Sequence, residues 1–137
     1  MVNCADTDRE RHVAVVLLGL DLPRLRAQQA EIAGLVAPEV RLLYGTEADI
    51  LADGALDVPP ELIGELDLII ASVHQRHHLD QDAMTARLVT AMRQPYFKIW
   101  GHALGRMVLR RDPIRVRIDD VLDVIAESRA AIELNGD

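Results

Sequence analysis

The sequence predicts an α/β domain built around a mostly parallel sheet of four to five strands. Three observations lead there. Short β-branched runs alternate with amphipathic stretches of helical spacing, the order that strand–helix–strand crossovers produce. The run Leu68-Ile-Ile-Ala-Ser-Val73 is apolar almost throughout, as in a strand covered on both faces. Gly, Pro and Asp punctuate the joints between runs. The 137 residues suit a single domain, taken as residues 1–137, and half of them are apolar, enough for a core. Aromatics supply 3 % of the chain, so the core must be aliphatic, with Tyr96, Phe97 and Trp100 gathered in one place.

The elements follow in order. Residues 13–18 form the first β-rich run. A helix is expected after it, with Asp21 offering an N-cap, Pro23 in the first turn, and Leu25, Ile32 and Leu35 near helical spacing. Pro38 marks its end. Residues 40–44 read as a strand stopped by Gly45. Asp53 and Gly54 centre a turn, and Pro59 and Pro60 open a short helix through Glu65. Residues 68–73 are the next strand. Asp80 caps a helix with apolar positions Met84, Leu88, Val89 and Met92, ended by Pro95. Residues 96–100 are a strand terminated by Gly101, and residues 105–117 a long loop or broken helix. Asp119 caps a final helix carrying Val121, Leu122, Ile125 and Ala126, and residues 131–134 are a last short strand. These patterns alone do not separate a barrel from an open doubly wound sheet.

Composition narrows the function classes. A formal charge of −7 denies the whole chain the basic surface that displaces counterions from nucleic acid, so nucleic acid is not an expected partner of this chain alone. A local basic run, residues 106–117, suits an anionic substrate or a solvated loop edge. Cys4 is the one cysteine, which forbids an internal disulfide and fits a reducing cytoplasm. The longest apolar run, residues 13–20, is too short to span a bilayer, and residues 1–12 lack a signal-peptide pattern. A soluble cytoplasmic protein with no membrane partner is expected.

In parallel α/β folds, chemistry gathers where strands end. Three strong metal ligands sit at such places: Glu47 past the strand at 40–44, His74 directly after Val73, and His102 directly after Gly101. Parallel strands point the same way, so the three side chains can converge on one rim. One carboxylate and two imidazoles suit zinc, manganese or iron. Taken singly, each has a plain structural role open to it, Glu47 as a loop carboxylate and the histidines as hydrogen-bonded caps; the shared placement is what raises the metal reading. His77 and His78 lie in a polar loop and are expected to face solvent. No Gly-rich phosphate loop or nucleophile elbow is present, so no catalytic side chain beyond the metal ligands is assigned.

Several segments resemble a known family. Gly45-Thr46-Glu47-Ala48-Asp49-Ile50-Leu51, followed by Asp53 and Gly54, resembles the Gly-x-Glu-x-Asp-Ile segment of the polymerase-and-histidinol-phosphatase (PHP) family. Ala71-Ser72-Val73-His74 is similar to its Ser-Val-His motif, Met84-Thr85 with Arg87-Leu88 to the helix after it, and Gly101-His102 with Gly105-Arg106 to its Gly-His-Pro-x-Gly-Arg motif. Glu133-Leu134-Asn135 resembles its Glu-Ile-Asn strand. The likeness runs from about residue 20 to residue 137, and is strongest to the PHP domain attached to bacterial family X DNA polymerases.

The resemblance implies a distorted seven-stranded α/β barrel, of which this chain would form a part, and hydrolysis of phosphate esters at a metal centre on the C-terminal rim. It implies one metal held by Glu47, His74 and His102. The family's His-x-His and Thr-Asp-His motifs have no match here, Ala103 replaces its proline, Leu104 stands at a usually polar position, and its Asp-x-His would fall beyond Asp137. The expectation is therefore a truncated or degenerate PHP-like copy with one divalent metal site. One metal keeps Lewis-acid and water-activating power but loses the two-metal clamp. A loss of about 4 kcal/mol costs roughly a thousandfold in rate, so weak phosphoesterase activity is expected, or a non-catalytic remnant that binds metal or a partner. Arg106, Arg110 and Arg111 are candidates for phosphate contact. A phosphorylated small molecule or nucleotide is the expected substrate, and a homodimer one way to cover sheet edges that four or five strands leave open.

Overall fold

The computed structural model describes residues 11–18, 22–35 and 40–134. In chain order these form β1 (Arg11–Leu18), α1 (Leu22–Gly34), β2 (Val40–Asp49), α2 (Pro60–Ile63), β3 (Leu68–Ser72), α3 (Gln81–Met92), β4 (Lys98–Trp100), α4 (Ile118–Glu127) and β5 (Ala130–Ile132). All neighbouring strands pair parallel, in the order β1-β2-β3-β4-β5. Strand order thus follows chain order. A doubly wound sheet reverses its order at a switch point; this one does not, which makes it a part of a βα barrel in topology.

Register sorts the side chains into two faces. Thr46, Ile69, Lys98 and Ala130 align across the sheet, as do Ala48, Ala71, Trp100 and Ile132. Residues two apart on a strand share a face, so these rows form one layer. They are the core face: Ile69, Ala71 and Trp100 are buried, packed with Met84, Leu88 and Met92 from α3 and Val121 and Val124 from α4. Each such aliphatic side chain contributes roughly 1.5–3 kcal/mol by leaving water. The opposite face carries Gly45, Glu47 and Asp49 beside Leu68, Ile70 and Ser72, with Ile99 next in the row.

Helix placement follows local chemistry. Asp80 caps α3, its side chain accepting from the Ala83 N–H at 2.8 Å. The Thr85 hydroxyl donates to Gln81 O and accepts from the Arg117 N–H, tying the start of α4 to α3. Tyr44 lies buried on β2 and donates its hydroxyl to Leu25 O at 2.7 Å, which fastens α1 to the sheet.

Several expectations shift. Gly45 does not stop β2, which continues to Asp49. The glycine serves a close approach instead: a Cβ there would lie 2.9 Å from Leu68 O and 3.0 Å from the Leu68 Cγ. Asp119 does not cap α4. Arg117 holds the cap position, and Asp119 and Asp120 fall in the first turn, where their charge favours the helix dipole. Leu35, expected on the apolar face of α1, is exposed. β4 and β5 are three residues each, shorter than their apolar runs, and α2 ends at Ile63. Asp21 and Pro38 lie outside the described residues.

Candidate metal centre

Because β2 runs through Gly45, Glu47 projects from within the strand and not from a loop beyond it. His74 follows β3 and His102 follows β4 on the same rim. The structure brings the three together: one donor atom from each lies within 4.8 Å of the others. His74 Nε2 is 3.0 Å from Glu47 Oε1, and His102 Nδ1 is 4.0 Å from the same oxygen. The two imidazole rings stand 5.2 Å apart, tilted by 37°. All three side chains are partly exposed, so the centre is open to solvent.

Chemistry and spacing together test the fit. Bonds of about 2.1 Å in a tetrahedron put neighbouring ligand atoms roughly 3.4 Å apart. The distances to the shared glutamate oxygen, 3.0 and 4.0 Å, bracket that value. A carboxylate with two imidazoles is a donor set for zinc, manganese or iron. The residues are therefore able to hold a divalent cation. Without one, His74 Nε2 and Glu47 Oε1 stand 3.0 Å apart as an ion pair that needs a protonated imidazole.

Residues around the trio hold the rim in shape. Asp49, two positions past Glu47 on the same face of β2, accepts from the His74 backbone N–H at 3.0 Å through Oδ1. Glu133, just past β5, accepts from the His102 backbone N–H through Oε2 at 2.5 Å. His102 has a φ of 29°, in the left-handed region that side chains seldom adopt, and its carbonyl accepts from the Gly105 N–H at 2.7 Å. Arg87 on α3 is buried and donates to Ile50 O, to Leu51 O at 2.9 Å and to Gln75 O at 3.0 Å. Burial pushes its guanidinium below the ordinary arginine range, with Asp49 opposing and Arg76 adding to that push. Asp49, Glu133 and Arg87 carry these contacts without standing out in the sequence. The i, i+2 spacing from Glu47 was the available signal for Asp49.

Arg106, Arg110 and Arg111 line one open cleft of about 280 Å³ with Met107, Leu109 and Asp112. A short antiparallel bridge between Met107 and Arg111 turns the chain, with Leu109 fully exposed at the tip. Arg111 Nε donates to Gly105 O at 2.6 Å, which connects the cleft through a short stretch of backbone to His102. His77 does not face solvent as expected. It is half-buried beside Gly105 and Arg111, its Nε2 has no partner among the described residues, and burial followed by the nearby Arg111 charge pushes its pKa down. His78 is exposed.

No family model matches the chain. Known proteins do. DNA polymerase/3'-5' exonuclease PolX of Bacillus subtilis (strain 168), a PHP-domain-containing family X polymerase, is 35% identical over 133 residues, 96% of this chain and 23% of that protein. This chain is a relative of the PHP family. Two proteins named "Probable phosphatase" agree: one from Caldanaerobacter subterraneus subsp. tengcongensis is 33% identical over 100 residues, 70% of this chain and 37% of its own length. The other, from Clostridium acetobutylicum, is 35% identical over 102 residues, 71% of this chain and 38% of its own length. The chain thus spans about a quarter to two fifths of these relatives. Among the described residues, no helix is long and apolar enough to cross a membrane.

Proposed function

We propose that this PHP relative holds one divalent cation through Glu47, His74 and His102 and hydrolyses phosphate esters there. The observation that carries the reading is the convergence of these three donors, carried by β2 and the segments just past β3 and β4, within 4.8 Å. A cation bound there supplies Lewis acidity toward a phosphoryl oxygen and makes water more acidic. The chain's own residues do the rest. Glu47 offers the oxygen that both imidazoles face. His74 and His102 present ring nitrogens on a partly exposed rim that a phosphate group can approach. Arg106 and Arg110 stand exposed in the cleft beyond His102, with guanidinium donors that match phosphate oxygens, while Arg111 is committed in part to Gly105 O. The substrate class is a phosphorylated small molecule or nucleotide. Turnover is expected to be slow, because a single cation lacks the paired clamp on attacking and leaving oxygens.

A second reading has one observation in its favour. Among the described residues, the Glu47, His74 and His102 trio is the one group arranged to hold a metal. A chain with that centre alone can bind a cation and act as an interaction module without catalysis.

One experiment separates the two. The purified protein is analysed for bound metal and assayed with an aryl phosphate in manganese, zinc and iron(II), beside His74→Ala. Metal-dependent turnover lost in His74→Ala supports the phosphoesterase. Stoichiometric metal with no turnover in any cation supports the module. No bound metal under any condition refutes both.

A further inference from the structure

The two imidazoles of the centre share an arrangement that their ligand role does not explain. Each stands two positions past the end of a strand, and each has its backbone N–H held by a carboxylate on or just past an adjacent strand. Asp49 of β2 accepts from His74 after β3, and Glu133 beyond β5 accepts from His102 after β4. Both carboxylates lie on the neighbouring strand's path, Asp49 level with the residue two before His74 and Glu133 level with the residue one before His102. Asp49 aligns with Ser72, and the β4–β5 register carries Gly101 opposite Glu133. Pairing persists beyond the named strands, with the Gly101 N–H donating to Ala71 O and the Glu133 N–H to Trp100 O, both at 3.0 Å. The centre is thus bracketed from both sides along the rim.

Gly101 lies beneath the second bracket. A Cβ at that position would sit 2.5 Å from the Ile70 Cγ2 and 2.7 Å from the Ser72 hydroxyl, and 3.8 Å from Glu133 Oε2. The Glu133 carboxylate reaches over the end of β4 to the His102 N–H. What it grips is the strained residue of the site, since His102 carries the positive φ. On the other side, Asp49 Oδ1 also lies 3.9 Å from the His74 ring Nδ1, near the nitrogen that does not face Glu47.

We propose that Asp49 and Glu133 are a matched pair of positioning residues, each clamping the main chain of one imidazole so that the two rings stand at the spacing a cation needs. This rests on the metal reading of Glu47, His74 and His102. The role is carried by hydrogen-bond acceptance, not by ligation, and that separates it from a hidden fourth or fifth ligand. An amide oxygen still accepts an N–H but lacks the charge and affinity of a carboxylate toward a cation.

The test uses cobalt(II) alone, with its visible absorption reporting coordination and calorimetry reporting affinity. Full-length wild type is compared with Asp49→Ala, Asp49→Asn, Glu133→Ala and Glu133→Gln, and the backbone amide signals of His74 and His102 are followed in the metal-free proteins. Loss of a supporting hydrogen bond around a metal site typically weakens binding about 10- to 100-fold. Each alanine variant should fall in that range with an altered cobalt spectrum, and each amide variant should recover to within about threefold of wild type. The His74 amide should move in the Asp49 variants and the His102 amide in the Glu133 variants. Wild-type affinity in both alanine variants overturns the clamp while leaving the metal reading intact. Amide variants as weak as alanine variants assign the carboxylates to ligation and overturn it too. No cobalt binding by wild type defeats the metal reading, and this proposal with it. Should an alanine variant fail to fold, its amide counterpart alone decides between acceptance and ligation.

Discussion

Arg87 offers the sharpest test of how the rim is built. Its side chain is buried, yet no carboxylate pairs with it at hydrogen-bond distance among the bonds described; its donors go to three main-chain carbonyls. Two of those belong to Ile50 and Leu51, immediately beyond the end of β2. The third belongs to Gln75, one residue past His74. One guanidinium therefore ties the segment after Glu47 and Asp49 to the segment after His74. The substitution to make is Arg87→Met, which keeps most of the stem and removes all three donors. The Ile50 carbonyl is fully buried and stands to cost about 1–3 kcal/mol unpartnered, while the two partly buried carbonyls lose roughly 1 kcal/mol each. Relief from burying a charge offsets part of this. A net loss of about 3 kcal/mol is expected. Urea unfolding of the metal-free protein measures it, read from the midpoint at unchanged slope. Arg87→Lys should recover only part, because an ammonium cannot serve three carbonyls that a planar fork reaches. A loss under about 0.5 kcal/mol for Arg87→Met would refute the reasoning, since the carbonyls would then have found other partners at no cost.

Lys98 predicts a pH effect. It is fully buried on β4, its ammonium donates to Gln94 O at 2.6 Å and Tyr96 O at 3.0 Å, and burial, then the Arg129 charge, push its pKa down to about 8. Between about pH 8 and the ordinary value of 10.5 the unfolded chain holds a proton that the folded one has released, so stability rises with pH across that window, by up to about 3 kcal/mol. Lys98→Met should flatten the rise in denaturation curves taken from pH 7 to 10.5; an unchanged slope counts against it. Gly101→Ala would drive a methyl to 2.5 Å from Ile70 and 2.7 Å from Ser72. Overpacking of that kind costs about 1–3 kcal/mol, and thermal melts that match wild type would contradict the contact. Among the described residues β1 and β5 each have one strand neighbour, so light scattering is expected to find a dimer, and a monomer at all concentrations speaks against that expectation.

The order of strands and helices was legible in the residues themselves, because it depends on neighbours a few positions apart. Asp80 capped its helix as expected, and the apolar run at Leu68 formed a strand covered on both faces, with Ile70 half-buried. The PHP motifs were legible for the same reason: each is a short contiguous string. Glu47, His74 and His102 were singled out from strand ends, although β2 proved longer than its run suggested. Gly45 misled because a glycine that ends a strand and one that admits a neighbouring Leu68 look identical in one dimension.

What tertiary structure alone decided was register and strand order. Sequence patterns left barrel and doubly wound sheet unresolved; the order β1-β2-β3-β4-β5 chose the first. That same alignment sets Asp49 against a backbone N–H 25 residues away and Glu133 against one 31 residues away. Parallel strands are joined through crossovers, so no turn fixes which residue stands beside which. Their alignment emerges from packing the helices on one face, and with it the rim on which Glu47, His74 and His102 meet.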